Sequence, residues 1–278
     1  MSAPATGHDA RSLATRMHHA AWRVGKALRQ RIRPARPALH VFVAGMQRSG
    51  TNLLMEVFDA SLSTDVYHET DPRAFERYEM RDVARIRALA ARSTAPVFVI
   101  KALCELDHIR SLMDEFVPAK TLWVVRDWRD SVHSAVKSFG NFVPQWRRLA
   151  AGDSRDWRGR GMSADTRALL ARLLRDDASE AEGAAIMWYY RNVLFFEQTL
   201  ETDPRVKVLF YERLVQAPLD AVAQVYDFIG LPGFSARIAA RIHARSVKHR
   251  APEGVSQDVA ALCDALLGRF AALQGGGQ

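Results

Sequence analysis

The sequence has little cysteine and no long apolar run. Its two cysteines, Cys104 and Cys263, lie far apart without metal-ligand or redox spacing, which excludes a disulfide scaffold and fits a reducing compartment. No apolar stretch approaches the ~20 residues that span a bilayer, and no continuous stretch of ~7–15 apolar residues near the N-terminus marks a secretory signal. We therefore expect a cytoplasmic protein of 278 residues, forming one large domain or two small ones at roughly 150 residues per domain.

Acidic residues are scarce in the first 40 residues, where eight arginines and lysines accompany the single acid Asp9. This segment carries +7 of the net charge of +8, which leaves +1 for the other 238 residues. A nearly neutral body is not expected to bind nucleic acid, although the whole chain is basic.

The basic segment is predicted to be helical, because apolar residues recur every three or four positions at Leu13, Met17, Ala20, Val24 and Leu28. Three interpretations remain open for this helix. In the first, its apolar residues pack on the body of the protein. In the second, residues 11–33 make a peripheral contact with an anionic membrane, at its inner face, or with a polyanionic substrate. In the third, the segment is an organellar transit peptide.

Prolines end that helix and set the expected domain boundaries. Pro34 and Pro37 lack the amide hydrogen that a helix needs, so residues 1–38 are predicted to form a basic arm. The domain proper is expected over residues 39–274, and residues 275–278 are expected to form a flexible glycine-rich tail.

Short runs of β-branched and aromatic residues alternate with helical patterns along the body. The predicted strands are Leu39–Ala44, Val97–Ile100, Thr121–Val125, Val206–Tyr211 and, more weakly, Asp65–Tyr67. The predicted helices are Thr51–Ser61, Pro72–Ala91, Glu105–Phe116, Ser131–Phe139 and Ala178–Glu201, with further helices after Tyr211. This alternation predicts an α/β fold of three layers, in which helices flank a central parallel sheet of about five strands.

One interval interrupts the alternation. Residues 141–177 are polar and rich in arginine and glycine, and we interpret them as an inserted mobile loop. Such a loop acts as a lid over the site or forms plain surface.

A glycine-bounded loop follows the first predicted strand and leads into a helix. The chain there reads Gly45-Met46-Gln47-Arg48-Ser49-Gly50-Thr51-Asn52, and this arrangement directs backbone amides and a helix N-terminus at an anion. The loop is P-loop-like in its two glycines, but Thr51 and Asn52 stand where a phosphate-binding lysine and a magnesium-binding hydroxyl belong. Because the cation is instead Arg48, with neutral donors beside it, the loop predicts a smaller anion bound without metal, such as a phosphosulfate.

A second set of polar residues follows the strand Thr121–Val125. Arg126 stands at the carboxyl end of this strand, where open α/β sheets bind ligands, and Ser134 lies in the next predicted helix. The spacing alone leaves two interpretations open. Arg126 and Ser134 approach the same anion, or Arg126 pairs with Asp127 or Asp130 and only fixes the strand to the helix.

The two sets together resemble the sulfotransferase family that uses 3'-phosphoadenosine 5'-phosphosulfate (PAPS). The loop over residues 47–54 resembles the family's phosphosulfate-binding loop [RK]-S-G-T-[TNS], and residues 126–134 resemble its motif R-x-x-[RK]-D-x-x-x-S. A third stretch, residues 210–232, contains Tyr211-Glu212-Arg213-Leu214 and Phe228-Ile229-Gly230-Leu231-Pro232, which are similar to a late motif of many members.

The resemblance implies roles for particular residues. The 5'-phosphosulfate of PAPS would be bound by the loop residues Arg48, Ser49, Gly50, Thr51, Asn52 and Leu53. Arg126 and Ser134 would bind its 3'-phosphate. Lys101 matches a lysine that many members place beside the transferring sulfuryl group, so Arg48 and Lys101 are expected to act in catalysis, and no metal is expected.

The residue expected to accept the proton of the sulfate acceptor differs from the one used in one branch of the family. Cytosolic members that sulfate phenols have a histidine two residues beyond the lysine, and Leu103 stands there in this chain. Carbohydrate-type members use a glutamate after the first helix, which suggests Glu69 as the base and leaves His68 as the alternative. We therefore expect a bacterial or carbohydrate-type enzyme whose acceptor is a carbohydrate, a glycolipid or another small molecule with a hydroxyl or amine.

Two other functions remain open on the sequence. The same class of fold contains P-loop kinases of small metabolites, which Thr51 and Asn52 disfavour. A non-catalytic protein that binds polyanions through the basic arm would explain the charge but not Arg48, Lys101 and Arg126 at the ends of strands.

Overall fold

The computed structural model describes residues 13–32, 34–153, 156–239, 242, 247 and 249–275. Its main sheet has five parallel strands in the order β2-β5-β1-β6-β7, and a separate antiparallel pair is formed by β3 and β4. The strands are β1 Leu39–Ala44, β2 Thr64–Tyr67, β3 Phe75–Glu76, β4 Glu79–Met80, β5 Val97–Ala102, β6 Ala119–Val125 and β7 Val206–Phe210.

Helices connect these strands and cover both faces of the main sheet. They are α1 Leu13–Ile32, α2 Thr51–Asp59, α3 Val83–Arg92, α4 Ile109–Glu115, α5 Trp128–Ser138, α6 Phe142–Ala150, α7 Ala164–Leu173, α8 Glu180–Glu197, α9 Tyr211–Gln216, α10 Pro218–Ile229, α11 Ala236–Ala239 and α12 Gln257–Gly275. Among the residues that the structure describes, no helix combines the length and the hydrophobicity of a membrane-spanning segment.

Side chains of the central strand alternate between two separate cores. Val41 and Val43 pack with α2, α9 and α10 on one face of the sheet. Phe42 and Ala44 pack with α5, α8 and α12 on the other. Alternation of this kind is what a strand buried on both faces requires. It confirms the predicted α/β fold with a five-stranded parallel sheet between helices.

The strand order creates a place for a ligand at the carboxyl ends of the central strands. The chain runs from β1 to β2 and β5 on one side, then crosses to β6 and β7 on the other. The connection after β1 and the connection after the neighbouring strand β6 therefore leave in opposite directions. Ligands of open α/β sheets bind at the carboxyl ends of strands at such a reversal. The loop after β1, Lys101 in β5 and Arg126 after β6 all lie at this edge.

The helix predicted over residues 72–91 is wrong in its first half. The chain forms a small hairpin from β3 and β4, and α3 begins only at Val83, with the Asp82 side chain accepting a hydrogen bond from Arg85 N at 2.8 Å. The turn residues Arg77 and Tyr78 both have positive φ, 50° and 71°. That backbone is typical of a two-residue hairpin turn, but the usual asparagine and glycine are absent.

The interval over residues 141–177 is more ordered than the predicted loop. It contains α6 and α7, and Trp146 of α6 is fully buried, donating from Nε1 to Leu170 O at 2.9 Å. Gly183 of α8 allows α6 to approach closely, since a Cβ there would lie 2.9 Å from Phe142 C. Within this interval α6 thus packs on α8 and α7 packs on α6. Residues 154–155 lie outside the described residues.

The basic arm forms the predicted helix α1, but its contacts reverse one interpretation of it. Polar side chains of α1 contact the body, whereas Val24 and Leu28, two of its periodic apolar residues, are exposed. The interpretation in which the apolar residues of this helix pack on the body is therefore wrong for these two. Residues 1–12, 33 and 276–278, which belong to the predicted arm and tail, lie outside the described residues.

Candidate active site

The loop after β1 is built around backbone conformations that favour glycine. Gly50, with φ of 100°, precedes α2, and a Cβ at this position would lie 2.4 Å from Cδ2 of Tyr211. Ser49 is buried, and its hydroxyl donates to Met46 O at 2.6 Å, so this side chain holds the loop in shape. Arg48 also has a positive φ of 71°, which turns the loop ahead of Gly50. The first amides of α2 are thereby directed toward the edge of the sheet.

We predict that Gly50→Ala lowers the free energy of unfolding by ~1–3 kcal/mol, because it adds both a backbone strain and a clash with Tyr211. Gly230→Ala is the matched control, since Gly230 also has a positive φ of 71° but has open space around its Cα. Chemical denaturation of both variants separates the two causes. Equal losses of stability would show that the contact with Tyr211 is unimportant.

Arg48 brings the loop after β1 into contact with the motif after β6. Its Nε donates to Ser134 Oγ at 2.8 Å, and NH1 of Arg126 donates to the backbone oxygen of Arg48 at 3.1 Å. Burial lowers the pKa of Arg48, and the nearby positive charge of Arg126 lowers it further. Two guanidinium groups held this close together create a strongly positive position, which a bound anion would stabilise.

Tyr211 and Trp188 support Arg126, although the sequence alone indicates a role for neither of them. The Arg126 guanidinium carbon lies 4.5 Å from the centre of the Tyr211 ring, and Trp188 Nε1 donates to Arg126 O at 3.0 Å. Tyr211 thus contacts both Gly50 and Arg126. Its place in the third motif was the available signal, but a stacking contact between distant segments has no sequence pattern of its own.

Acidic side chains organise the start of α5. Glu212 Oε1 accepts from Asp127 N at 3.0 Å, and burial raises the pKa of Glu212. Asp127 in turn caps α5 by accepting from Arg129 N at 2.8 Å, and its Oδ2 lies 3.2 Å from His249 Nδ1. These contacts fix the turn that carries Arg126 from β6 into α5.

Lys101 forms a second cluster at the carboxyl end of β5. Its Nζ donates to Glu69 Oε1 at 2.5 Å and also to Asn52 Oδ1 of the loop, while only 1% of its surface is exposed. Burial lowers the pKa of the Lys101 ammonium, and the Glu69 carboxylate opposes that shift. Lys101, Glu69 and Asn52 come from three separate segments, and the structure brings them together as one polar group.

Neither His68 nor Leu103, which stands where phenol-type members have a histidine, contacts Lys101 through its side chain in the hydrogen bonds and ion pairs described. His68 Nε2 lies 2.7 Å from Asp59 Oδ2 at the end of α2. Leu103 is buried, and its carbonyl accepts from NH2 of the buried Arg191 at 2.7 Å. Of the two candidate bases, Glu69 contacts Lys101, whereas His68 contacts Asp59.

Several large aromatic side chains are core residues rather than surfaces on which an acceptor ring could stack. Trp128, Trp146 and Tyr190 have at most 2% of their surface exposed. Trp157 is half-buried, and the guanidinium carbons of Arg158 and Arg191 lie 4.5 and 4.9 Å from its ring centre. The first three side chains are thus unavailable for stacking on an acceptor.

The arrangement suits the binding of oxyanions. Positive φ at Gly50, helix amides and paired guanidinium groups are features that bind oxyanions. Among the described residues, no group of three or more His, Cys, Asp or Glu side chains is arranged to bind a metal ion. Burial raises the pKa of Cys104 to about 12, so this thiol is not a nucleophile at neutral pH.

Two solved structures that match at a TM-score of 0.50 support the fold. The chain is similar to sulfotransferase STF9 from Mycobacterium avium, with a TM-score of 0.50 and 16% identity over 92% of this chain and 81% of that chain. It is similar to the sulfotransferase domain from the curacin biosynthetic pathway, with a TM-score of 0.50 and 14% identity over 87% and 99%. Mouse sulfotransferase SULT7A1, complexed with PAP, matches at a TM-score of 0.46 and 13% identity over 86% and 89%.

A search of the curated proteins found no match to this chain. The sulfotransferase domain family, in contrast, matches residues 39–253, which contain the loop after β1, Lys101 and Arg126. This match decides against the P-loop kinase and the non-catalytic polyanion-binding protein that the sequence left open. The chain belongs to the sulfotransferase domain family and is a PAPS-dependent sulfotransferase.

Proposed function

We propose that the protein transfers the sulfuryl group of PAPS to a hydroxyl or amine of a carbohydrate, a glycolipid or another small-molecule acceptor. The observation that carries this proposal is the ion pair between Lys101 and Glu69, at 2.5 Å, beside Asn52 of the loop. It supplies a cation for the transferring group and a carboxylate for the acceptor's proton at one end of the sheet. Leu103 in place of a histidine supports the carbohydrate-type branch.

The donor is held at both of its charged ends in this proposal. The 5'-phosphosulfate is bound by the loop and the first turn of α2, through Arg48, Ser49, Gly50, Thr51, Asn52 and Leu53. Arg126 and Ser134 bind the 3'-phosphate, and the hydrogen bond between Arg48 and Ser134 supports the closeness of the two ends. Binding at both ends fixes the direction of transfer, and orientation of this kind lowers the barrier without covalent chemistry.

The cations act on charge that develops during transfer. PAPS supplies the sulfuryl group. As the bond between its sulfur and the oxygen that bridges sulfur and phosphorus breaks, negative charge grows on that oxygen. Arg48 and Lys101 stabilise this charge from fixed positions, which is the most effective form of electrostatic catalysis because nothing has to reorganise. Burial of Lys101 strengthens the effect, since a charge acts over a longer range in a medium of low polarity.

Glu69 accepts the acceptor's proton as the new bond to sulfur forms. Its Oε1 accepts a hydrogen bond from Lys101 Nζ, so the carboxylate lies beside the ammonium group that faces the transferring sulfuryl group in this proposal. A carboxylate within hydrogen-bond reach of the attacking hydroxyl is a competent general base. His68 is engaged with Asp59, which supports Glu69 as the base.

We predict that Arg126→Ala weakens binding of PAP, the product that carries the 3'-phosphate, by ~2–3 kcal/mol, the scale of a charge-assisted hydrogen bond. Adenosine 5'-phosphosulfate lacks the 3'-phosphate, so its affinity should change far less. Isothermal titration of both ligands tests this. Equal losses would mean that Arg126 only maintains the structure, for instance through its contact with Tyr211.

The acceptor class is tested by transfer of labelled sulfate from PAPS to glycans, glycolipids and phenols in parallel. The proposal predicts label on glycans or glycolipids in preference to phenols. Preferential labelling of phenols would contradict the carbohydrate-type assignment while leaving the donor site intact.

A further inference from the structure

The helix α1 is attached to the body by its polar face. Trp22 Nε1 donates to Asp59 O at 3.0 Å, Lys26 Nζ donates to Thr64 Oγ1 at 3.2 Å, and Gln30 Nε2 donates to Thr64 O at 2.9 Å. These three residues are spaced by four, so they share one face of the helix. The acceptors lie at the end of α2 and the start of β2, which is an edge strand of the sheet.

The opposite face of α1 presents large apolar side chains to solvent. Val24, Leu28 and Ile32 have 69%, 58% and 70% of their surface exposed. They are also spaced by four and are offset from the attached face by two residues, close to half a helical turn. We call Val24, Leu28 and Ile32 the apolar stripe. A helix of a water-soluble domain normally buries its apolar side, so this arrangement is the reverse of the usual one.

Basic residues surround the apolar stripe. Arg29 and Arg31 on α1 and Arg36 just beyond it are exposed. Residues 1–40 carry +7, whereas the rest of the chain carries +1. A second copy of the same segment would bring like charges together, which disfavours self-association through this face. Apolar side chains with basic neighbours instead fit a partner that offers an apolar interior beneath an anionic surface.

We propose that the apolar stripe and its neighbouring arginines bind the protein to an anionic lipid bilayer as a peripheral contact. The stripe enters the boundary between headgroups and acyl chains, and the arginines contact the anionic headgroups. Since the polar face of α1 holds the body at Asp59 and Thr64, the α/β domain stays in water beside the bilayer. This inference does not depend on the acceptor or on the base.

Flotation with lipid vesicles tests the proposal on the full chain. Vesicles of phosphatidylcholine containing phosphatidylglycerol should bind the protein, vesicles of phosphatidylcholine alone should bind it much less, and added salt should weaken the binding. The triple variant V24S/L28S/I32S should bind the anionic vesicles at least about tenfold more weakly. The variant R29S/R31S/R36S keeps the apolar stripe and should also lose binding.

The matched control removes three exposed apolar side chains elsewhere, in F139S/L219S/L273S. It should bind vesicles like the unmodified protein, and all three variants should keep the unmodified rate of sulfuryl transfer. The proposal is overturned if the unmodified protein fails to bind anionic vesicles, or if V24S/L28S/I32S binds them equally well. A dimer in sedimentation velocity that V24S/L28S/I32S abolishes, without vesicle binding, would assign the stripe to self-association instead.

Discussion

Glu69→Gln is expected to lower turnover by ~10²–10⁴-fold while donor affinity stays nearly unchanged. Glutamine keeps the shape of Glu69 and can still accept the hydrogen bond from Lys101 Nζ, but it is not a base. The loss should therefore fall on the chemical step. Single-turnover kinetics with labelled PAPS, together with isothermal titration of PAP, separate this step from binding.

His68→Asn is the matched control for Glu69→Gln, because His68 is adjacent in sequence and engages Asp59 rather than Lys101. We expect a much smaller loss of turnover from this variant. If Glu69→Gln turns over normally and His68→Asn is inactive, the base is His68 and the proposed mechanism is wrong at this residue.

The pH profile gives a second readout of the same ion pair. Lys101 must be protonated to stabilise negative charge, so activity should fall as pH rises through its pKa, which burial has lowered. Glu69 opposes that lowering. Glu69→Gln should therefore move the alkaline limb of the profile to lower pH, and an unmoved limb would mean that Lys101 does not limit activity there.

Arg48→Ala is expected to lower turnover by at least ~10²-fold, because it removes a cation aimed at charge that develops in the transition state. Stability should change little, since Arg48 is partly exposed and belongs to a loop. Steady-state kinetics and thermal unfolding measure the two effects.

Arg77→Ala is the matched control for Arg48→Ala, because Arg77 also has a positive φ, 50°, but lies at the tip of the β3–β4 hairpin. It should keep full activity. Arg48→Lys retains the charge and loses the two-pronged contact, so we expect intermediate activity from it. Full activity in Arg48→Ala would remove Arg48 from the mechanism.

The central strands β1, β5 and β6 were predictable from sequence because they are mostly apolar and buried on both faces, a pattern that few other structures produce. The hairpin at Arg77 and Tyr78 was not, since its turn uses positive φ without glycine or asparagine. Residues 142–150 were missed as a helix because Pro144, Arg147 and Arg148 mask a buried face that includes Trp146. Periodicity predicted α1, but the attached face depends on carbonyl groups of α2 that no helical pattern contains.

The candidate site was predictable where it depends on one segment and not where it depends on several. Glycines before a helix and cations at strand ends are local signals, which placed Arg48, Lys101 and Arg126 at one edge of the sheet. The stacking of Arg126 on Tyr211 and the contact of Lys101 with Asn52 join residues far apart in the chain. Only the packing of the α/β layers brings such pairs together.

The most direct test of the donor site is thermal unfolding with PAP, with magnesium and ATP, and with neither. At a PAP concentration of ~100 times its Kd, we expect Tm to rise by about 5 °C or more. Magnesium and ATP should leave Tm nearly unchanged, because Thr51 and Asn52 replace the lysine and hydroxyl that bind that complex. Stabilisation by magnesium and ATP without any by PAP would contradict the account.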